Sequence, residues 1–368
     1  MKITGIRVHL LRKKLSSSMR ISRGGFTVRE HAVIEVMTDA GISGLGEGVG
    51  DPRMVKAIVE GVLGDEVKGL DPLNIEKIRK KLLDGKVYFE RKGSVICAAS
   101  AIETACWDIL GKESKVPVYQ LLGGLVRDKI KVYASDVYWE ENPRSMAMNA
   151  ERITKRGIRT VKVHLGCMPP EDEVERVRIL RETLGPEVSL MIDLNAGYDG
   201  PSALRATQLW EPYDIYWLEE PVHPGLADIQ ADLRGQTGIP IASGENEFRL
   251  EGFKYLFDQE AVDVAMPDIG RVGGIQETRD ICSLAKAYGI PVSPHNFSSG
   301  VLLAATVHLM AAVPNTQLLE IDTSDNAVYH EFFPEPFQIK DGFAFPSDRP
   351  GLGVELSQEI LDSYCDNG

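Results

Sequence analysis

Lys162 and His164 stand two residues apart in the stretch "RTVKVHLGCM", residues 159–168. Val161, Val163 and Leu165 alternate with them, the period-two pattern of a strand, so the amine and the imidazole share one face. Further along, Asp193, Glu219 and Glu245 recur every 26 residues, and Asp268, His295 and Glu320 follow at similar intervals. Three carboxylates in one partly buried volume repel each other and resist ionisation unless a cation joins them. All-oxygen ligation suits Mg2+, which keeps its other positions for water or substrate oxygens. Spacing alone leaves Glu219 and Glu220 as alternatives, because the apolar run ends there. An aspartate beside a histidine on a neighbouring strand fixes the ring tautomer and raises its basicity, which suits Asp268 and His295 to acid–base work. Proton-transfer groups on both sides of a divalent ion suit abstraction of a proton α to a carboxylate. That proton is weakly acidic, and the ene-diolate it leaves needs a cation and nearby donors. Lys162 is then a point charge beside the substrate carboxylate, His164 an acid or base, and Glu320, if protonated, a further donor.

Elements of regular spacing must carry these groups. From about residue 130, short β-like runs at 131–138, 160–166, 189–195, 215–221, 239–245, 262–269, 290–296 and 316–322 alternate with helical segments. In "EDEVERVRILRETLG", Val174, Val177, Leu180 and Leu184 fall on one face before Gly185-Pro186 ends the helix. Eight strands at a spacing of about 25 residues predict a (β/α)8-type barrel, whose catalytic groups come from the C-terminal strand ends. A doubly wound open sheet is the rival, but the first strand–helix turn has no Gly-x-Gly-x-x-Gly fingerprint.

Before this region the pattern is α+β. Residues 29–48 read as strand, turn at Asp39-Ala40-Gly41, and strand; "PLNIEKIRKKLLDG" and "AASAIETACWDILGKESKVP" read as helices. After Asp322 the alternation is lost and hairpin-like strands return, expected to rejoin the N-terminal region. The division expected is a capping domain of residues 1–128, completed by 323–368, and a barrel of 129–322.

The bulk numbers agree with an enzyme-sized globular chain: 368 residues, 43% hydrophobic and 26% charged. A formal charge of −13 argues against a nucleic-acid partner, which needs a basic footprint. The five cysteines are odd in number and lack CxxC spacing, so they read as reduced thiols. The N-terminus has no apolar signal-peptide core and no run approaches a membrane span, so a cytoplasmic protein without a membrane partner is expected. His9, His31, His223, His308 and His330 read as ordinary structural histidines.

"VKVHLG", "MIDLNAGY", "WLEEPV", "ASGEN", "PDIGRVGGI", "SPHNF" and "LLEID" resemble the enolase superfamily, in its mandelate racemase-like branch. "ASAIETACWDILGK", "VYQLLGG" and "PGLGVEL" resemble that family's capping and C-terminal segments. The resemblance runs through nearly the whole chain in order. It implies a modified TIM barrel, (β/α)7β, with an α+β cap built from both termini. It implies Mg2+ on Asp193, Glu219 and Glu245, an Asp268–His295 dyad, and Glu320 as a donor to the substrate carboxylate. It also implies a small-molecule carboxylate substrate and a homo-oligomer, an octamer being one form. Cap loops around "SSSMRISRGG" and "EGVGDPRM" would close over the site, with Asn195, Arg20 and Arg23 as candidate substrate contacts. One departure stands out: the family's second-strand motif is commonly Lys-x-Lys, and here it is Lys162-Val163-His164.

Two outcomes are open once the ene-diolate forms. Loss of a β-hydroxyl dehydrates a sugar acid, an aldonate or aldarate, to a 2-keto-3-deoxy acid. Return of the proton on the opposite face racemises or epimerises a 2-hydroxy acid. Dehydration is favoured, because it is the commonest activity in the Asp–His branch and histidine is a competent acid for a leaving hydroxyl. A muconate-type cycloisomerase would need a lysine after the sixth strand, which "PDIGRVGG" does not offer. A non-catalytic metal-binding scaffold is the alternative from another class, with His164 as its only support.

Overall fold

The fold rests on a glycine-lined strand pressed against a helix. In a computed structural model, which describes residues 1–324 and 326–365, strands β1 (Ile3–Ile21), β2 (Gly24–Thr38) and β3 (Ser43–Gly48) form an antiparallel sheet. On β3, Gly44, Gly46 and Gly48 alternate with Leu45 and Glu47. A Cβ at Gly44 or Gly46 would lie 2.1 or 1.9 Å from the carbonyl oxygens of Ala105 and Ala101. Only glycine admits so close a backbone approach. The helix Ser94–Ser114 meets this face with Cys97, Ala101 and Ala105, four residues apart. Leu45 and Glu47 therefore point the other way, and Glu47 reaches Ser299 of the barrel. That helix is long and apolar enough to cross a membrane, yet every residue from Ile96 to Ile109 is buried in the fold.

The remainder is the expected modified (β/α)7β barrel. Strands β4 (Ile130–Val137), β5 (Thr160–His164), β6 (Ser189–Asp193), β7 (Ile215–Glu219), β8 (Ile241–Ser243) and β9 (Val264–Ala265) pair in sequence order, all parallel. Strand β10 (Leu319–Ile321) pairs parallel with β4. The run expected at 290–296 contributes only Val292, bridged to Ala265 on one side and Thr316 on the other. Proline at 291 and 294 removes ladder donors there, which limits the pairing.

Alternation along each strand sets the site's depth. Met191 and Asp193 face inward, as do Trp217 and Glu219, while Leu190, Ile192 and Leu218 pack outward. Tyr133, Met191, Trp217, Ala242, Val264, Met266 and Leu318 form a separate core inside the cylinder. This plug is the floor on which the polar groups stand.

The C-terminal segment divides its attachments. The helix Gln358–Tyr364 packs on β1, with a bridge from Leu11 to Cys365, so part of the segment lies against the N-terminal sheet. The hairpin of Ile339–Lys340 and Phe343–Ala344 instead pairs with the start of β4, beneath the barrel. All five cysteines are free thiols.

Candidate metal centre and its flanking histidines

Register brings the carboxylates together. His164 pairs with Asp193 and Asp193 with Glu219 across β5, β6 and β7, so three polar side chains stand at one level. Glu245 lies two residues past β8. Asp193, Glu219 and Glu245 are buried and offer oxygens all within 4.8 Å of one another. Oxygens about 2.1 Å from a hexacoordinate Mg2+ sit roughly 3 to 4 Å apart, so a small adjustment closes the shell.

Charge gives an independent test of this fit. Lys162 is 1% exposed and lies 2.6 Å from Glu219 Oε1, 2.9 Å from Glu320 Oε1 and 3.4 Å from Asp193 Oδ2. One ammonium thus meets Asp193, Glu219 and Glu320, and Glu245 adds a fourth carboxylate to the cluster. Burial, partly offset by Lys162, and repulsion from Asp193, Glu320 and Glu245 push the Glu219 carboxyl well above its usual range. Burial would lower Lys162, but Glu219 and Glu320 outweigh it and keep the amine charged. A donor set with this excess of negative charge fits a divalent cation.

The two histidines offer different ring atoms. On one flank, His164 Nε2 lies 3.0 Å from the carbonyl oxygen of Ser135, which can only accept, so Nε2 carries a proton. The ring atom left to exchange a proton is Nδ1, 3.0 Å from Asn195 Oδ1 and 3.5 Å from Asp193 Oδ2. Tyr138 stacks flat on the imidazole, with centroids 4.9 Å apart and planes at 5°. On the other flank, His295 Nδ1 donates to Asp268 Oδ2 at 2.7 Å. Its Nε2 faces Glu245 Oε2 at 3.3 Å and Glu320 Oε2 at 3.9 Å. Burial would lower this imidazole, but Glu245, Glu320 and Asp268 together raise it to about 10.

Glu320 departs from the protonated donor expected. Burial alone would raise its carboxyl, but Lys162 and His295 hold it well below the carboxylate range, so the group is ionised here. Asn195 joins the cluster through Asp193, whose carboxylate accepts both its main-chain N–H (2.7 Å) and its side-chain amide (3.0 Å). The two cap arginines are occupied differently. Arg20 stacks on the Trp139 ring at 4.1 Å. Arg23 donates to the carbonyl oxygens of Asn195 (3.2 Å) and Ala196 (2.7 Å), clamping the loop that follows β6.

Sequence reasoning passed over a supporting chain. Asn246 donates its amide to Glu245 (3.1 Å) and to both oxygens of Glu220 (2.9 and 2.8 Å), and accepts from Arg271. Burial, then Glu245 and Asp193, push Glu220 up to about 8. The signal was available: Glu220 and Asn246 repeat the same 26-residue step as Glu219 and Glu245.

Comparison with known proteins adds the lineage. Residues 4–123 match the family model for the mandelate racemase / muconate lactonizing enzyme N-terminal domain, and residues 145–360 match the enolase C-terminal domain-like model. The chain belongs to this family. A D-galactarolactone cycloisomerase of Agrobacterium fabrum is 32% identical, over 99% of each chain. A D-xylonate dehydratase of Haloferax volcanii is 33% identical, over 91% of this chain and 85% of its own. A racemase of Streptomyces coelicolor A3(2), solved with bound magnesium, superposes with a TM-score of 0.92 at 29% identity, covering 99% of this chain and 100% of its own. Within this mandelate racemase-type family, members therefore share the fold while their named reactions differ.

Proposed function

We propose that this chain is a hydro-lyase that dehydrates a sugar acid to a 2-keto-3-deoxy acid, beginning with removal of the proton α to the carboxylate. The observation that carries this reading is the pair of histidines on opposite flanks of one carboxylate cluster, each with a single ring nitrogen turned toward it. Asp193, Glu219 and Glu245 would hold Mg2+, which supplies positive charge against the carboxylate as it gains electron density. Lys162 binds the same substrate carboxylate as a fixed cation. One imidazole, in its neutral form and freed of its partner at the cluster, takes the α-proton, through Nδ1 of His164 or Nε2 of His295. The β-carbon then loses its hydroxyl, which accepts a proton and leaves as water, and the enol that remains tautomerises to the ketone. The buried floor of Tyr133, Met191 and Trp217 keeps bulk water from beneath the reacting carbons.

The dehydratase name of the Haloferax relative supports this outcome. The same two flanks also suit epimerisation, the second reading, since a proton removed on one face can return on the other. Incubation with Mg2+ and a panel of acid sugars, followed by semicarbazide, separates them. Dehydration yields 2-keto acid; epimerisation yields none but exchanges the α-proton with D2O. The reading includes a cytoplasmic homo-oligomer acting on a small molecule, without nucleic acid or membrane, and the charge of −13 supports the absence of nucleic acid.

A further inference from the structure

The two flanking imidazoles are held by different means. Nδ1 of His295 donates to the carboxylate of Asp268 at 2.7 Å, a charge-assisted bond that fixes its ring. The corresponding atom of His164, Nε2, meets instead the neutral carbonyl of Ser135 at 3.0 Å, and its Nδ1 rests on Asn195 Oδ1 at 3.0 Å. Proton transfer at Nδ1 takes the ring off Asn195. One neutral hydrogen bond then remains to hold the imidazole in its plane.

The face of the ring supplies further support. Tyr138, the residue after β4, lies parallel to the imidazole, with centroids 4.9 Å apart and planes at 5°. Ser135 belongs to the same strand, so one segment grips His164 both at its edge and on its face. Rotation of the imidazole about its Cβ–Cγ bond breaks that planar contact. Tyr138 is in turn wedged by the cap. Phe26 of β2 meets its ring edge-on, at 5.7 Å and 86°. Arg29, on the same strand, donates to its hydroxyl at 3.3 Å while holding Asp322 at 3.1 Å. The Arg29 and Asp322 side chains are 9% and 1% exposed, so this anchor is internal to the fold. The main-chain N–H of Trp139, the next residue, donates to the carbonyl of Arg20 on β1 at 3.0 Å.

We propose that Tyr138 is a positioning residue: clamped by the docked cap, its ring keeps the His164 imidazole in the plane from which Nδ1 exchanges the α-proton. It acts through His164 and not on the substrate. The hydroxyl serves the cap and the ring face serves the histidine, so two parts of one side chain have separable effects. The inference rests on the proton-transfer role given to His164 above, and it holds for dehydration and epimerisation alike.

Three substitutions test the idea. Tyr138→Leu and Tyr138→Met fill the space without a flat face, and Tyr138→Phe keeps the face without the hydroxyl. Each is assayed with Mg2+ on the acid-sugar panel, D-xylonate and D-galactonate included, by semicarbazide for 2-keto acid and by NMR for α-proton exchange in D2O. Each is also crystallised. Tyr138→Leu and Tyr138→Met should lower kcat about 30-fold or more with KM within about threefold, because misplacement of a proton-transfer group is felt in the transition state. Their crystals should show the His164 ring turned from its plane or in two rotamers. Tyr138→Phe should keep that plane and hold kcat within about threefold of wild type, since only one exchangeable hydrogen bond is lost. Tyr138→Met keeps the test intact if Tyr138→Leu does not fold. An unmoved His164 ring or an unchanged kcat in Tyr138→Leu and Tyr138→Met would overturn the proposal, as would a Tyr138→Phe enzyme equally slow. A raised KM at constant kcat would overturn it too, by making Tyr138 a substrate contact. If wild type neither forms keto acid nor exchanges an α-proton on any compound, the proton-transfer role of His164 falls, while the crystals still decide whether Tyr138 sets its ring.

Discussion

Nδ1 of His295 lies 2.7 Å from Oδ2 of Asp268, and the other oxygen of that carboxylate accepts the main-chain N–H of Gly270 at 2.7 Å. The aspartate is pinned from both sides, so its only freedom is to hold the imidazole with the proton on Nδ1. His295→Asn should remove α-proton exchange on its face while changing ligand affinity only a few-fold, read by proton NMR in D2O and by calorimetry. Asp268→Asn presents an amide donor to Nδ1 and favours the opposite tautomer, so kcat should fall about 1000-fold or more with the fold unchanged.

Glu219 is buried, with Lys162 against one oxygen and the Trp217 indole N–H 3.1 Å from the other. Glu219→Gln keeps its shape and removes its charge. Mg2+ affinity measured by calorimetry should fall at least about tenfold. Unchanged affinity would remove this residue from the donor set.

Asn195 occupies left-handed backbone, φ +43°, and links Asp193 to His164. Alanine tolerates that conformation less well than asparagine and supplies neither hydrogen bond. Asn195→Ala should cost about 1–2 kcal/mol in thermal unfolding. It should also slow exchange for one C2 epimer more than the other, because losing the Asp193 contact affects both faces whereas His164 alone of the two histidines loses its partner. Equal slowing of both would limit Asn195 to a structural role.

Glu103 ties the cap to the barrel, accepting from the main-chain N–H groups of Ile275 and Gln276 at 2.7 and 3.0 Å. Burial raises its carboxyl to about 7, against contrary pulls from those N–H groups and from Trp107. The folded chain therefore holds a proton between about pH 4.5 and 7 that the unfolded chain has released, so stability falls as pH rises through that window. The loss approaches about 3 kcal/mol at its upper end. Glu103→Gln should flatten this part of the stability–pH curve in chemical denaturation; an unaltered slope would contradict the assignment.

Gly46→Ala would place a methyl group 1.9 Å from the Ala101 carbonyl oxygen. Backbone on both sides leaves no rotamer to escape into, so a loss of about 3 kcal/mol or more is expected in urea unfolding. The Gly41→Ala control meets no atom within 4 Å but sits at φ +75°, and should cost only about 1 kcal/mol.

What could be read from the chain before folding follows period and spacing. Alternation placed β5 and β6, and the 26-residue step singled out Asp193, Glu219 and Glu245; register sets Asp193 beside Glu219, while Glu245 reaches the cluster from beyond the end of β8. Contacts set by the third dimension were not legible. Arg29 and Asp322 lie 293 residues apart, and nothing near either announces the pair. His31 was indistinguishable from any histidine on a strand until Glu47, itself held by Ser299, met its ring. The cap arginines were expected on a loop, but Arg20 lies in β1, paired with Gly25, and the turn at Ser22-Arg23 docks onto the main chain after β6 instead of standing open. The ionisation of Glu320 depended on where Lys162 would reach, which strand register alone does not say.

Because β10 pairs with β4, the two ends of the cylinder's wall come from opposite ends of its sequence. A chain leaving the ribosome exposes Asp193, Glu219 and Glu245 well before residues 319–321 emerge to seal the seam. The oxygen donors then wait on scaffolding that has no final neighbour, and the proposed Mg2+ would be a late guest of assembly instead of its nucleus. Refolding followed by intrinsic fluorescence should accordingly proceed at a rate independent of Mg2+, with the cation slowing only the reverse reaction.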